Sequence, residues 1–333
     1  MKRFICAISI LFVLATMVGT ATAAPLVFKF AGQSPPDHQT SKHMLMIAKE
    51  INERTEGRVE IKVYPASQLG DYTLLFEEMM RGTVDMELGG VPSDFDPRLG
   101  MGYICGYVRG YDSLSKIFDP DGWMLKKLNE ISNPLGVRML SCYVEGMIGI
   151  GSVKPVKEPL SPKVDKGVLT RVANMEVYTV GAKAMGYRPI TIPWPDTYQA
   201  LQTGVCDAAI GFPTASAYMM FADVIKYWYA TNYSLEYQAI MISEKSWQKL
   251  TEKDRLVFQD IARKYSQISI ANAKAQDRKY LDLMKKKGIK VFEYNDKQLE
   301  DIRKACFASW DELAKGSLTK PLIDEFKREF GDH

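Results

Sequence analysis

The sequence predicts an α/β protein of two lobes with a cleft between them, and three observations carry that expectation. Strand and helix patterns alternate from Leu26 to Gly90. After a less regular stretch the alternation restarts at Val137 and continues to Gly211. A helical pattern then runs almost unbroken from Thr251 to Lys287, about 50 Å at 1.5 Å per residue, which is longer than either lobe needs and suited to lying across both.

The chain opens with Lys2 and Arg3, an apolar run from Phe4 to Val18, and Ala21-Thr22-Ala23 ahead of Ala24-Pro25. These are the three parts of a secretory signal peptide over 1–23, cleaved after Ala23. The apolar run is too short for a comfortable membrane span and no basic residues follow it, and Cys6 sits in the wrong surroundings for lipidation. No later segment approaches about 18 uninterrupted apolar residues, so the mature protein is expected to be soluble outside the cytoplasm.

Leu26 to Ala31 alternates as a strand and is broken by Gln33-Ser34-Pro35-Pro36-Asp37-His38. A helix over Thr40 to Arg54 puts Met44, Ile47, Ala48 and Ile51 on one face, and Glu56-Gly57 ends it. Val59 to Tyr64 is a second strand, Asp71 to Arg81 a second helix, and Val84 to Leu88 a third strand ahead of Gly89-Gly90. Ligands of such a lobe sit beyond the carboxyl ends of its strands. In the second lobe the expected strands are Val137 to Tyr143, Leu169 to Val172, Ile190 to Ile192 and Asp207 to Gly211. Its helices are Glu176 to Met185 and Pro195 to Gln202, and Lys154 to Lys166 is a surface connection. Thr251 is an N-cap with Glu252 and Asp254 in the first turn, and Gly288 a stop signal. Between them the helix is either continuous or two helices kinked near Ser266 to Asn272. Ile289 to Glu293 is a last strand, and two helices finish the chain.

A formal charge of +3 with no dense Lys/Arg block argues against a nucleic-acid partner. The cysteines left after cleavage, Cys105, Cys142, Cys206 and Cys306, form no C-x-x-C, so no metal or redox motif is expected; disulfides and buried thiols both remain open. An exported hydrolase would need a nucleophile with an organised base, paired carboxylates or a metal cluster. The three histidines are His38, His43 and His333; the first two miss the i, i+4 spacing of a helical metal pair and read as loop and surface residues, with His38 able to line the cleft mouth. No G-x-S-x-G, H-E-x-x-H or phosphate-cradling loop is present, so no enzyme activity and no cofactor are expected.

The phrase Lys166-Gly167-Val168-Leu169-Thr170-Arg171-Val172 places an arginine at the end of an apolar strand, and Pro193 to Pro213 follows as PWPDTYQALQTGVCDAAIGFP. The planar fork of a guanidinium matches both oxygens of a carboxylate, so Arg171 is the candidate clamp for a small organic acid. These segments, with GRVEIKVYPASQLGD (Gly57 to Asp71), RGTVDMELGG (Arg81 to Gly90), Ala184-Met185-Gly186 and YQALQTGVCD, resemble in order the DctP-type substrate-binding proteins of TRAP transporters. The resemblance spans essentially the whole mature chain.

The resemblance implies a class II-like, two-lobe periplasmic-binding-protein fold with a ligand cleft and a long bridging helix, located in the periplasm and partnered by TRAP membrane permease subunits. Lobe I is expected over 24–149 plus about 236–276, and lobe II over 150–235 plus about 277–333. An arginine at the position of Arg171 holds the ligand carboxylate in the family. Trp194 falls where an aromatic wall flanks the ligand, either stacking on it or filling the core; Gln33 aligns with a polar ligand-contacting residue; and Ser93 is the side chain on offer from the third-strand loop beside Gly89-Gly90. His38 remains a candidate at the mouth.

Departures from the family pattern bear on the ligand. Sialic-acid binders carry a second arginine upstream of the first, where this chain has Met147 or Ile148. The asparagine after the G-x-x-D turn gives way to Ala208 to Pro213, which includes Gly211 and Phe212. A drier site with fewer donors is expected, for a monocarboxylate with an apolar or aromatic body walled by Trp194, Phe212, Met147 and Tyr218. Glu145, if it faces the cleft, pairs with an amino group and favours an aromatic amino acid over its keto or plain acid analogue. Competing expectations are a C4-dicarboxylate or sugar-acid receptor of the same family and an ABC-type solute receptor.

Overall fold

The computed structural model describes residues 24–331, so the segment 1–23, expected to be a signal peptide, and His333 lie outside the described residues. Two sheets form, one in each lobe. The first has the order β2-β1-β3-β10-β4, built from β1 (Leu26–Gly32), β2 (Val59–Tyr64), β3 (Met86–Gly89), β4 (Val137–Met147) and β10 (Leu235–Ser243). β1 runs parallel to β2 and β3, whereas β10 is inserted antiparallel between β3 and β4. The second has the order β11-β9-β5-β8-β6-β7. Its strands are β5 (Ile150–Ser152), β6 (Leu169–Val172), β7 (Arg188–Thr191), β8 (Ala208–Ala209), β9 (Tyr227–Ala230) and β11 (Lys290–Glu293).

Three stretches of chain join the lobes: the passage from β4 to β5, the passage from β9 to β10, and the helix Glu252–Lys286. That helix is one unbroken element of 35 residues, which settles the choice between a continuous helix and a kinked pair. The Thr251 hydroxyl accepts from the Asp254 N–H at its start, and Lys285 and Lys286 suit the negative end of the helix dipole. Its first half buries Phe258, Ile261 and Tyr265 against Phe28, Phe30, Met44 and Ile47 of lobe I. Leu281 and Met284, near its end, enter the lobe II core of Leu201, Phe212, Phe221 and Trp228. At about 1.5–3 kcal/mol for each fully buried large apolar side chain, both halves are anchored by several such groups.

Helix Tyr72–Arg81 is capped by Asp71, whose carboxylate accepts from the Leu74 N–H at 2.9 Å, and ended by Gly82 in the left-handed region. The long stretch without periodicity between β3 and β4 folds as 3-10 turns at Pro97–Tyr103 and Tyr111–Ser113 and helices Leu114–Ile117 and Trp123–Ser132. Three helices rather than two finish the chain, Glu300–Ala308, Trp310–Lys315 and Lys320–Phe330. Trp310 anchors them by donating its indole N–H to the Cys105 carbonyl at 2.8 Å. The strand expected at Asp207 to Gly211 shrinks to Ala208–Ala209 because the chain turns at Gly211, whose φ is +98°. β4 exceeds its expected length and reaches Met147. The four described cysteines are buried free thiols.

Candidate functional site

Arg171 is the third residue of β6, beside Ala209 of β8 and Ile190 of β7, and it is 1% exposed. Its Nε donates to the Ile192 carbonyl at 2.9 Å and its Nη1 to the Ile210 carbonyl at 3.1 Å. Among the described residues no carboxylate lies within salt-bridge distance of it. A guanidinium has five N–H donors, so two bonds leave three for something else. The indole of Trp194 lies 5.8 Å from the guanidinium carbon, a cation–π contact that backs its position.

The positive φ of Gly211 turns the chain just after the Ile210 carbonyl that receives Arg171. A β-carbon there would meet the Tyr178 ring at 3.4 Å and Arg171 Nη1 at 3.6 Å, so ring and guanidinium share one corner. The Tyr178 hydroxyl donates to Glu236 Oε2 at 3.0 Å. Arg171, Tyr178 and Glu236 thus form a chain from the lobe II sheet to β10.

The cavity that Arg171 faces is lined by Gln33 and Gly90 of lobe I, Trp194 and Gly211 of lobe II, Glu236, and the rings of Tyr72, Tyr103 and Tyr178. It continues into a chamber shared with Glu145, Phe212, Ser216 and Met220. Gln33, Trp194, Gly211 and Glu236 border both. Arg171 is the one basic residue among the described residues lining the two. The Gln33 Oε1 is buried without a hydrogen-bond partner. Side chains join the lobes around this space: Ser216 donates to Glu145, and Asn174 to Asp94 at 3.1 Å.

Glu145 faces the cavity. Its Oε1 takes the Ser216 hydroxyl and lies 3.2 Å from His38 Nε2, and its Oε2 takes the Gln238 amide at 3.1 Å. Burial pushes its pKa up to about 7, against the lowering effect of the Ser216 and Gln238 hydrogen bonds. Burial, with Lys42 nearby, lowers His38 to about 4, so near neutrality the contact is a hydrogen bond between uncharged or singly charged partners rather than an ion pair. Glu236 is raised well above the carboxylate range, first by burial and then by Glu145; Arg171 is lowered by burial.

Of the residues singled out by sequence, Arg171, Trp194, Gln33, Gly211, Phe212 and Glu145 come together around this space. Three do not. Met147 is buried in the core, with its N–H donating to Asp277 at 2.8 Å; Ser93 lines a separate pocket with Asp94 and Asn174; Tyr218 packs beside Tyr280 at 5.7 Å between ring centres. His38 and His43 are buried rather than on the surface. His38 caps helix Gln39–Arg54 through its Nδ1 and reaches Glu145 from behind, and His43 bonds the Tyr143 hydroxyl at 2.8 Å. Sequence reading passed over Tyr72, Tyr103, Tyr178 and Glu236. The available signal for Glu236 was a lone acid heading the apolar run of β10.

A profile of the DctP family, bacterial extracellular solute-binding protein family 7, matches residues 30–316. The sialic acid-binding periplasmic protein SiaP of Vibrio cholerae is 26% identical over 283 residues, 84% of this chain and 85% of that protein. The C4-dicarboxylate-binding periplasmic protein DctP of Rhodobacter capsulatus is 26% identical over 318 residues, 93% of this chain and 89% of the other. Among solved structures, a TRAP periplasmic solute-binding protein from Desulfovibrio salexigens with bound orotic acid has a TM-score of 0.82 at 21% identity, covering 92% of this chain and 98% of its own.

Proposed function

Because this chain belongs to the DctP family of bacterial extracellular solute-binding proteins, the solute receptors of TRAP transporters, we propose that it captures a small organic acid in the periplasm by closing its lobes on Arg171. The ligand then passes to the membrane permease subunits. One observation carries this reading: a fully buried guanidinium in the cavity between the lobes, held by two carbonyls and with no acid of the described residues within salt-bridge distance. A buried unpaired charge costs several kcal/mol, and a ligand carboxylate removes that cost only when the lobes shut.

The relatives named above bind sialic acid, C4-dicarboxylates and orotic acid. For this chain the favoured ligand is a monocarboxylate with an apolar or aromatic body. A second carboxylate would meet no second basic residue, and Trp194, Phe212, Tyr72 and Tyr103 offer flat apolar walls. Glu145 and Glu236 further disfavour a dianion. Solute capture without turnover is the activity expected.

Mass spectrometry of ligand released by denaturing the purified protein tests identity and turnover together, since a bound acid should return unchanged. A thermal-shift panel of aromatic and branched monocarboxylates, C4-dicarboxylates and sugar acids tests class. Ligand at about 100 times its dissociation constant adds roughly 2.7 kcal/mol of stability. Stabilisation confined to dicarboxylates would overturn the monocarboxylate assignment, and stabilisation confined to sugar acids would overturn the apolar or aromatic body; either leaves the receptor reading intact.

A further inference from the structure

The two buried carboxyl groups at the floor of the cleft have no counterpart in the capture of a simple anion. Glu236 and Glu145 come from β10 and β4, the strands that lead into the lobe crossings, and Glu236 pairs in register with Gly146 next to Glu145. Both line the space that Arg171 faces. Both oxygens of Glu145 are already engaged by protein, Oε1 by Ser216 and His38 and Oε2 by Gln238. Glu236 is different: it is 8% exposed, its Oε2 is held by Tyr178, and its Oε1 has no hydrogen-bond donor among the described residues.

A ligand that is only an anion leaves this oxygen without a partner. It would satisfy Arg171 and then stand beside two acids that must stay protonated to tolerate it. A ligand with both charges makes two ion pairs in one closure, carboxylate on Arg171 and cation on Glu236. The surrounding rings support the second pair independently. Tyr72, Tyr103 and Tyr178 line the same cavity, and the faces of aromatic rings attract cations. Trp194 cannot serve there in the same way because its indole already lies against Arg171.

We propose that the solute is a zwitterion, a carboxylate bearing an ammonium or protonated ring nitrogen, and that Glu236 receives the nitrogen, with Glu145 behind it. This rests on the reading of Arg171 as the carboxylate clamp. Tyr178 joins the two subsites, touching the Arg171 corner with its ring and Glu236 with its hydroxyl, so the two charges of the solute are close together, as in an amino or imino acid.

Matched sets of ligands test the proposal on the unaltered protein by calorimetry: L-phenylalanine, phenylpyruvate and 3-phenylpropionate; L-leucine with its 2-oxo and des-amino acids; and L-proline with cyclopentanecarboxylate. In at least one set the nitrogen-bearing member is expected to bind about tenfold or more tighter than its partners. Glu236→Gln should remove that preference while leaving the des-amino acid bound equally or better. Tyr178→Phe, which removes the hydroxyl from Glu236 Oε2 but keeps the carboxyl in place, should keep the preference. Equal or tighter binding of the nitrogen-free acids, or a preference that survives in Glu236→Gln, overturns the zwitterion and leaves the acid receptor standing. If no carboxylate of any set binds and the purified protein releases none on denaturation, the acid-receptor reading falls and this inference with it.

Discussion

Replacing Arg171 by alanine is the most direct probe of the cavity, and its size follows from the donors counted in the structure. Two of the five N–H groups are spent on the Ile192 and Ile210 carbonyls, which leaves three, enough for a two-pronged bond to a carboxylate. Hydrogen bonds to charged groups contribute about 1.5–3 kcal/mol each, so loss of two removes about 3–6 kcal/mol, or roughly two to four powers of ten in affinity. Arg171→Lys keeps the charge and loses the fork, so it should fall between the two. The unliganded fold should survive in both variants. Removing a buried guanidinium that no acid of the described residues pairs with relieves a desolvated charge, and that relief offsets the two carbonyls left bare. Titration calorimetry against the ligand recovered from the wild-type protein measures the affinities, and circular dichroism with urea unfolding checks the fold. Affinity of a folded Arg171→Ala protein within tenfold of wild type would show that the guanidinium is structural and refute the clamp.

Two further outcomes follow from the same geometry. Asp277, on the long helix, accepts from the Tyr111 hydroxyl at 2.6 Å and the Met147 N–H at 2.8 Å, and burial raises its pKa to about 7 despite those bonds. A carboxyl raised on folding carries no penalty below its unfolded value and loses stability as pH climbs from about 4 to about 7, on the order of 4 kcal/mol here. Asp277→Asn should therefore flatten the urea-unfolding stability profile over that window and gain on wild type as pH rises; parallel profiles would count against the assignment. Gly211→Ala forces a β-carbon at φ +98° beside the Tyr178 ring, so stability should drop by about 1 kcal/mol or more, with weaker ligand binding as the Ile210 carbonyl shifts off Arg171. Unchanged thermal unfolding and calorimetry would show that the turn tolerates a side chain.

The sequence is most legible where one face of an element meets solvent. β1 and helix Gln39–Arg54 show clean periods because Val27 and Leu45 stay exposed while Phe28 and Met44 are buried. Arg171 was legible because a charge in an apolar strand demands a partner. β10 hid its role because all nine of its residues are buried, so no alternation marks it as a strand and Glu236 is read as an isolated acid. Tyr72, Tyr103 and Tyr178 look like ordinary core aromatics in short helical segments, and only the fold brings them to one cavity. Met147, expected as a wall of the site, and Glu145, expected there only if it faced the cleft, part company for a local reason. Residues two apart on a strand share a face, but Gly146 has φ +157° and the β4–β10 register shifts between Glu236 and Tyr237. The pleat is broken there, so Glu145 enters the cleft and Met147 the core.

The position of β10 within the first sheet also constrains how the chain can be made. β4 pairs with nothing in its sheet except β10, and β3 has β10 on its far side, so the sheet stays open along two strand edges until residue 243 has arrived. The entire second sheet apart from β11 is laid down in that interval. Since a nascent chain emerges from its amino end, the first lobe is begun first and finished late, and the long helix that covers it comes later still. The period between these events leaves apolar strand edges uncovered, which is the condition under which nascent chains associate wrongly. Truncation before residue 243 is therefore expected to give an aggregating fragment rather than a free-standing lobe, and a soluble monomer on size-exclusion chromatography would count against this order of assembly.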